Sequence, residues 1–170
     1  MKVKRIFPLL LVLLLATTFA TTQPSSAVSP DQGVSAFGQG EFFNRFRNED
    51  WSFSFDVRSN KNGQASGRAT FDILHNATQT HVVVRINCLD VQGSSGLATA
   101  VMTGFVLHSD DPNFPKRAHV IFAADDNSAF PTIRPDLITP LFESPFGFDC
   151  HDGGPLTIFE ISSDAITIEL

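Results

Sequence analysis

The 170-residue chain has no tyrosine, one tryptophan and two cysteines. Sugar-binding and protein-binding surfaces lean on Tyr and Trp, which combine contact area with a hydrogen bond. Their scarcity points away from a lectin. Positive charge is also scarce. Without Lys2, Lys4 and Arg5, which sit in an N-terminal leader, nine Lys and Arg face eighteen Asp and Glu, a net charge near −9. That balance argues against nucleic acid and anionic membrane surfaces as partners. The leader's apolar run, Ile6 to Ala16, is shorter than the about 20 residues a membrane span requires. No Cys-x-x-Cys, His-x-x-x-His, Gly-x-Ser-x-Gly elbow, phosphate-cradling glycine loop or dinucleotide fingerprint occurs. Internal repeats and heptads are absent as well.

What is present begins with that leader. A basic start, a leucine-rich stretch and small residues Ser25 and Ala27 read as a signal peptide over 1–27. Cleavage is expected after Ala27, with Ala20 as the alternative. No cysteine follows at the junction, so a lipid anchor there is not expected. The mature chain is then 28–170, one all-β domain, secreted or periplasmic. About 143 residues suffice for one hydrophobic core.

Fifteen of the mature residues are Phe, which fills cores or apolar cavities without a polar handle. Cys88 and Cys150 form an even pair in an oxidising compartment and read as one disulfide. A catalytic thiol at Cys150, beside His151, is the sharper idea. Adjacent residues rarely present both side chains to one reacting atom, however.

The organising stretch is Val82 to Val91. Its β-branched residues suit a pleated, buried strand. Val82, Val84, Ile86 and Cys88 share one face, whereas Leu89 and Val91 fall on the other. Either both faces are covered or a bulge near Cys88 shifts the phase. Trp51 to Arg58 alternates cleanly, Asn62-Gly63 supplies a turn, and Gln64 to Leu74 returns as the second arm of a hairpin. Gly33 to Phe43 reads as an irregular edge strand, with Phe42, Phe43 and Phe46 closing one end of the core. His75 to Thr80 is a polar link holding the sequon Asn76-Ala77-Thr78. Leu97 to His108 and Arg117 to Ala124 are further strands, joined by the loop Ser109 to Lys116. Residues 126–155 form a long, proline-rich loop, with Leu156 to Ile161 and Ala165 to Leu170 as closing strands. Consecutive hairpins favour an antiparallel β-barrel, up-and-down or partly open, with a Greek-key β-sandwich as the alternative.

The run Phe53-x-Phe55-x-Val57, with Asn62-Gly63, Gly67 and Phe71, resembles a family of small exported bacterial all-β proteins. The likeness continues through Ile86-x-Cys88-Leu89-x-Val91-x-Gly93, Gly104, Phe122, Asp126-Asn127, Pro135-Asp136 and Cys150. It covers nearly the whole mature chain, and its specific parts are the Cys-Leu-x-Val-x-Gly run and the distal cysteine. The resemblance implies export, a β fold and the disulfide. It carries over no catalytic residue. The chain also resembles lipocalin-like barrels in general character, but the Gly-x-Trp of those proteins is missing, because Glu49 stands two positions before Trp51.

Two acidic clusters offer calcium-type oxygen ligands: Asp110, Asp111 and Asn113, and Asp125, Asp126 and Asn127. They flank one strand, so at about 3.3 Å per residue they lie roughly 25 Å apart and cannot share an ion. Neither has EF-hand spacing, and each reads better as a capped turn. Asp149, His151 and Asp152 around Cys150, and His108 and His119 near the Asp110 loop, lack zinc spacing. No metal or cofactor is therefore expected. The expected function is a noncatalytic binding or structural domain whose partner is a small apolar ligand or another extracellular protein. Two alternatives follow. One is a barrel carrying a small apolar ligand. The other is a hydrolase in which two or more of Asp110, His119, Asp125, Asp149 and His151 converge.

Overall fold

A computed structural model describes residues 32–144, 148–155, 157, 159–161 and 165–170. The leader and its cleavage site lie outside the described residues. No helix among the described residues is long and apolar enough to cross a membrane.

Six long strands form an up-and-down meander: β1 Gln32–Asn44, β2 Glu49–Asn60, β3 Ala65–His75, β4 Thr78–Ser94, β5 Leu97–Ser109 and β6 His119–Asp126. Each pairs antiparallel with the next. Four short strands follow: β7 Leu137–Ile138, β8 Phe142–Glu143, β9 Phe159–Glu160 and β10 Ile166–Glu169. The sheet runs β10-β1-β2-β3-β4-β5-β6-β7-β9, with β8 also pairing with β6. It curls into a partly open antiparallel barrel, as the succession of hairpins predicts, rather than a two-sheet sandwich. β1 is not an edge strand, because β10 pairs along its outer side.

Alternation explains what fills the interior. In β2, Trp51, Phe53, Phe55 and Val57 are buried while Ser54, Asp56 and Arg58 are exposed. Their rings meet those of neighbouring strands: Phe42 against Trp51 at 5.7 Å, Trp51 against Phe71 at 6.0 Å, and Phe71 against Phe122 at 5.2 Å. Edge-on and offset contacts of this kind add stabilisation beyond burial alone. Gly38 on β1 makes room for the chain of rings, since a Cβ there would lie 2.8 Å from the Phe55 ring. The barrel is filled by its own phenylalanines.

The ambiguous phase of β4 resolves both ways at once. Register shifts between Ile86 and Cys88 opposite Gly104 and Thr103, leaving Asn87 as the extra residue of a β-bulge. Ile86 and Leu89 therefore both enter the main core, while Cys88 turns outward. There it joins a second, smaller core of Val101, Ile121, Ala123, Cys150 and Phe148 on the barrel's outer face. The Cys88–Cys150 disulfide is present, with Cα atoms 5.8 Å apart.

Residues 126–155, expected as one long loop, contain β7, β8 and a 3-10 turn at Cys150–Asp152. β7 and β8 both pair with β6, interrupted by Thr139, Pro140 and Leu141. Thr139 keeps the contact by accepting from Ala123 N through its hydroxyl at 2.9 Å. Proline lacks the N–H a ladder needs, which holds these strands to two residues each. The segment lines the free edge of β6, and its Phe148 and Cys150 pack on the outer face of β4–β6. Three boundaries also differ from expectation. The polar link 75–80 is a tight turn at Asn76 and Ala77, Arg117 with φ 73 precedes β6, and β9 is confined to two residues.

Candidate functional site

The β1–β2, β3–β4 and β5–β6 turns gather at one end of the barrel. Between the first and last of them lies a cleft of about 320 Å³. Trp51, Phe114, Leu141 and Phe159, all buried, form its floor. Phe46 and Phe142 form its walls and remain 69% and 42% exposed. Arg47 and Glu143 stand at its edge with opposite charges.

Local sequence fixes each wall. The carboxamide oxygen of Asn44 accepts from Phe46 N at 3.2 Å, and Asn44 O accepts from Arg47 N at 3.2 Å. These bonds hold the turn that lifts Phe46 out of the core, while Phe42 stays within it. Phe46 then meets Phe159 edge-on at 5.9 Å, and the Arg45 guanidinium lies over the Phe46 ring, 5.3 Å from its centroid. On the floor, Trp51 Nε1 donates to the buried carboxylate of Glu49 at 2.8 Å, which fixes the indole. His75 Nδ1 lies 3.7 Å from the same carboxylate. Buried Asp111 accepts from Asn113 N at 2.8 Å and from Thr80 Oγ1 at 3.2 Å, shaping the turn that carries Phe114.

The acidic candidates serve the scaffold. Asp110 accepts from His81 N. Asp125 accepts from Thr99 Oγ1 at 2.6 Å and from Thr157 Oγ1. Asp126 accepts from Ser128 N at 2.9 Å and Ile168 N at 3.0 Å, and Asn127 donates its side-chain amide to Pro135 O at 2.8 Å. The two clusters sit at opposite ends of β6. Asp149 and Asp152 form a capping box around the 3-10 turn. His119 packs on Phe105 with ring centres 4.9 Å apart. Asp110, His119, Asp125 and the Asp149–His151 pair thus each face different partners.

Among the described residues, one trio of potential ligands converges: Cys88, Cys150 and His151, with ligand atoms within 4.8 Å of one another. His151 Nδ1 also lies 3.3 Å from Asp90 Oδ1.

Sequence reasoning missed the cleft. Phe46, Phe114, Phe142 and Phe159 come from four separate segments and share no spacing, so only the fold assembles them. It also missed Asp136, whose place after Pro135 suggests a turn residue. The chain was compared with protein-family models, with curated proteins and with solved structures, and none matches.

Proposed function

We propose that the protein is an exported, noncatalytic binding domain that holds a small apolar ligand in the cleft at the barrel mouth. The reading rests on one contrast. Eight aromatic rings pack into the barrel and its mouth, whereas Phe46 and Phe142, two of the exposed phenylalanines, stand together around a floor made of three of those rings and Leu141. A cleft of about 320 Å³ falls at the small end of ligand sites, which span roughly 300–1,000 Å³. The filled interior favours this mouth over an enclosed carrier cavity. The dispersed Asp and His residues favour binding over hydrolysis. Export, and kinship with the small exported β-proteins the sequence resembles, belong to the same proposal.

Trp51, the single tryptophan, lies in the cleft floor and reports on occupancy. Titration with 1-anilinonaphthalene-8-sulfonate is expected to quench Trp51 by energy transfer, saturably and at one site per chain. Phe46→Ser and Phe142→Ser are expected to weaken that binding. Equal binding by both variants would overturn the assignment of the cleft. Native mass spectra of the purified protein add a second reading, since a retained apolar ligand appears as mass lost on denaturation.

A further inference from the structure

We propose that the outer face of β3 and β4 carries a second site, unrelated to the cleft, that binds a phosphate-class oxyanion between Arg68 and Arg85. The two arginines are directly opposite each other in the β3–β4 register. Both are exposed, while Ala69 and Val84 beside them are buried, so the pair stands on the solvent side of the sheet.

Like charges facing each other across a ladder destabilise it. In a chain rich in carboxylates, a neutralising partner should be easy to supply. Yet neither arginine forms an ion pair with any described residue. Asp56 lies opposite Arg68 in the β2–β3 register, but its carboxylate is 3.5 Å from Arg58 Nε instead. An oxyanion between the two guanidiniums turns the repulsion into charge-assisted hydrogen bonds, and their planar forks match its geometry.

The neighbouring residues extend the site on one side. Arg68 lines an open hollow of about 510 Å³ together with Phe37, Gln39, Ser54 and Thr70. Ser54 Oγ and Thr70 Oγ1 share one hydrogen bond at 2.7 Å, which leaves the pair one further hydroxyl hydrogen to donate. Gln39 adds an amide, and the exposed Phe37 adds an apolar wall. Asp56 also borders the hollow, with its charge met by Arg58. This arrangement suits an organic phosphate ester. Its anionic group takes the arginines, and its body rests in the hollow. The head of a phosphomonoester lipid offers the same chemistry, so the test separates the two sources.

Isothermal titration calorimetry of the purified protein with phenyl phosphate, at low ionic strength, is expected to show saturable binding at one site. Arg68→Gln and Arg85→Gln are each expected to weaken it about tenfold, through the loss of a charged hydrogen-bonding partner. Arg68→Lys keeps the charge without the fork and should fall between the parent and Arg68→Gln. Arg134→Gln removes the same charge from the exposed loop between β6 and β7 and should bind like the parent. Without phosphate, Arg85→Gln should melt no lower than the parent, because a repulsion has been removed. Phenyl phosphate should then raise the melting temperature of the parent and not that of Arg85→Gln.

Phosphatidylcholine vesicles containing phosphatidic acid form the second arm. Vesicle binding that Arg85→Gln abolishes, with no uptake of phenyl phosphate, would assign the pair to a lipid headgroup. Uptake of phenyl phosphate without vesicle binding would assign it to a soluble ester. No binding in either arm, or an equal loss in Arg134→Gln, would overturn the proposal.

Discussion

Asp126 Oδ2 accepts the backbone N–H of Ile168 at 3.0 Å, joining positions 42 residues apart. Asp136 does the same for Ile166 N at 3.0 Å while also accepting from Asn127 N at 2.9 Å. β10 is thus held on one side by the ladder of β1 and on the other by two buried carboxylates. These side chains close the barrel where, among the described residues, no backbone ladder does.

Replacing Asp136 with Ala leaves two buried backbone donors without acceptors. Each orphaned donor costs roughly 1–3 kcal/mol, so Asp136→Ala is expected to lose about 3 kcal/mol. Urea unfolding should show a lower midpoint, and hydrogen exchange should show faster exchange at Ile166 and Asn127. An unchanged midpoint would refute the role of the carboxylate.

The β3–β4 turn runs through Asn76 and Ala77, with φ of 47° and 65°. Left-handed backbone costs an alanine roughly 1–2 kcal/mol and glycine almost nothing. Ala77 is exposed and loses little by truncation. Ala77→Gly is therefore expected to stabilise the protein by about 1 kcal/mol, giving the Asn-Gly pair such hairpins prefer. A lower melting temperature for this variant would count against the turn geometry.

The disulfide spans 62 residues. In the chain-entropy account, a loop of this length contributes about 4 kcal/mol. Cys88→Ser with Cys150→Ser should lower stability by up to that amount. Amide exchange should rise first around Phe148 and Cys150, which pack on the outer face, and last in β2 and β3. Uniform acceleration across the barrel would show that the cross-link supports the whole fold instead.

Phe122 is fully buried and contacts Phe71 at 5.2 Å and Phe55 at 5.8 Å. Phe122→Ala is expected to cost about 3–5 kcal/mol. Phe46→Ser, at the mouth, is expected to stay within about 0.5 kcal/mol of the parent. Chemical denaturation of the two variants separates core rings from cleft rings. A large loss for Phe46→Ser would make that residue part of the scaffold.

The meander was legible because its signals are local. Trp51 to Val57 alternates with period two, Asn62-Gly63 meets the positive φ of 74° at Gly63, and two cysteines leave a single pairing. The ambiguity at Cys88 was legible as well, since a slip of one residue exchanges the faces of a strand. What lay beyond the sequence was long-range. Asp126 and Asp136 look like ordinary turn carboxylates until β10 is brought alongside. The placement of β1 inside the sheet likewise depends on residues more than a hundred positions away. The cleft belongs to the same category, because its rings meet only after β8 and β9 have docked.

The pairing of β1 with β10 sets the order in which a nascent chain can become safe. Ser35 to Gly38 pair early with β2 but find their second, outer partners only when residues 166–169 have emerged from the ribosome. Until then β1 offers an open edge, with Ala36 uncovered, to any neighbouring strand. Ile166 and Ile168, both fully buried once docked, act as the final zip. A chain stopped a few residues short would keep nearly all of its sheet and still be the form most prone to aggregate.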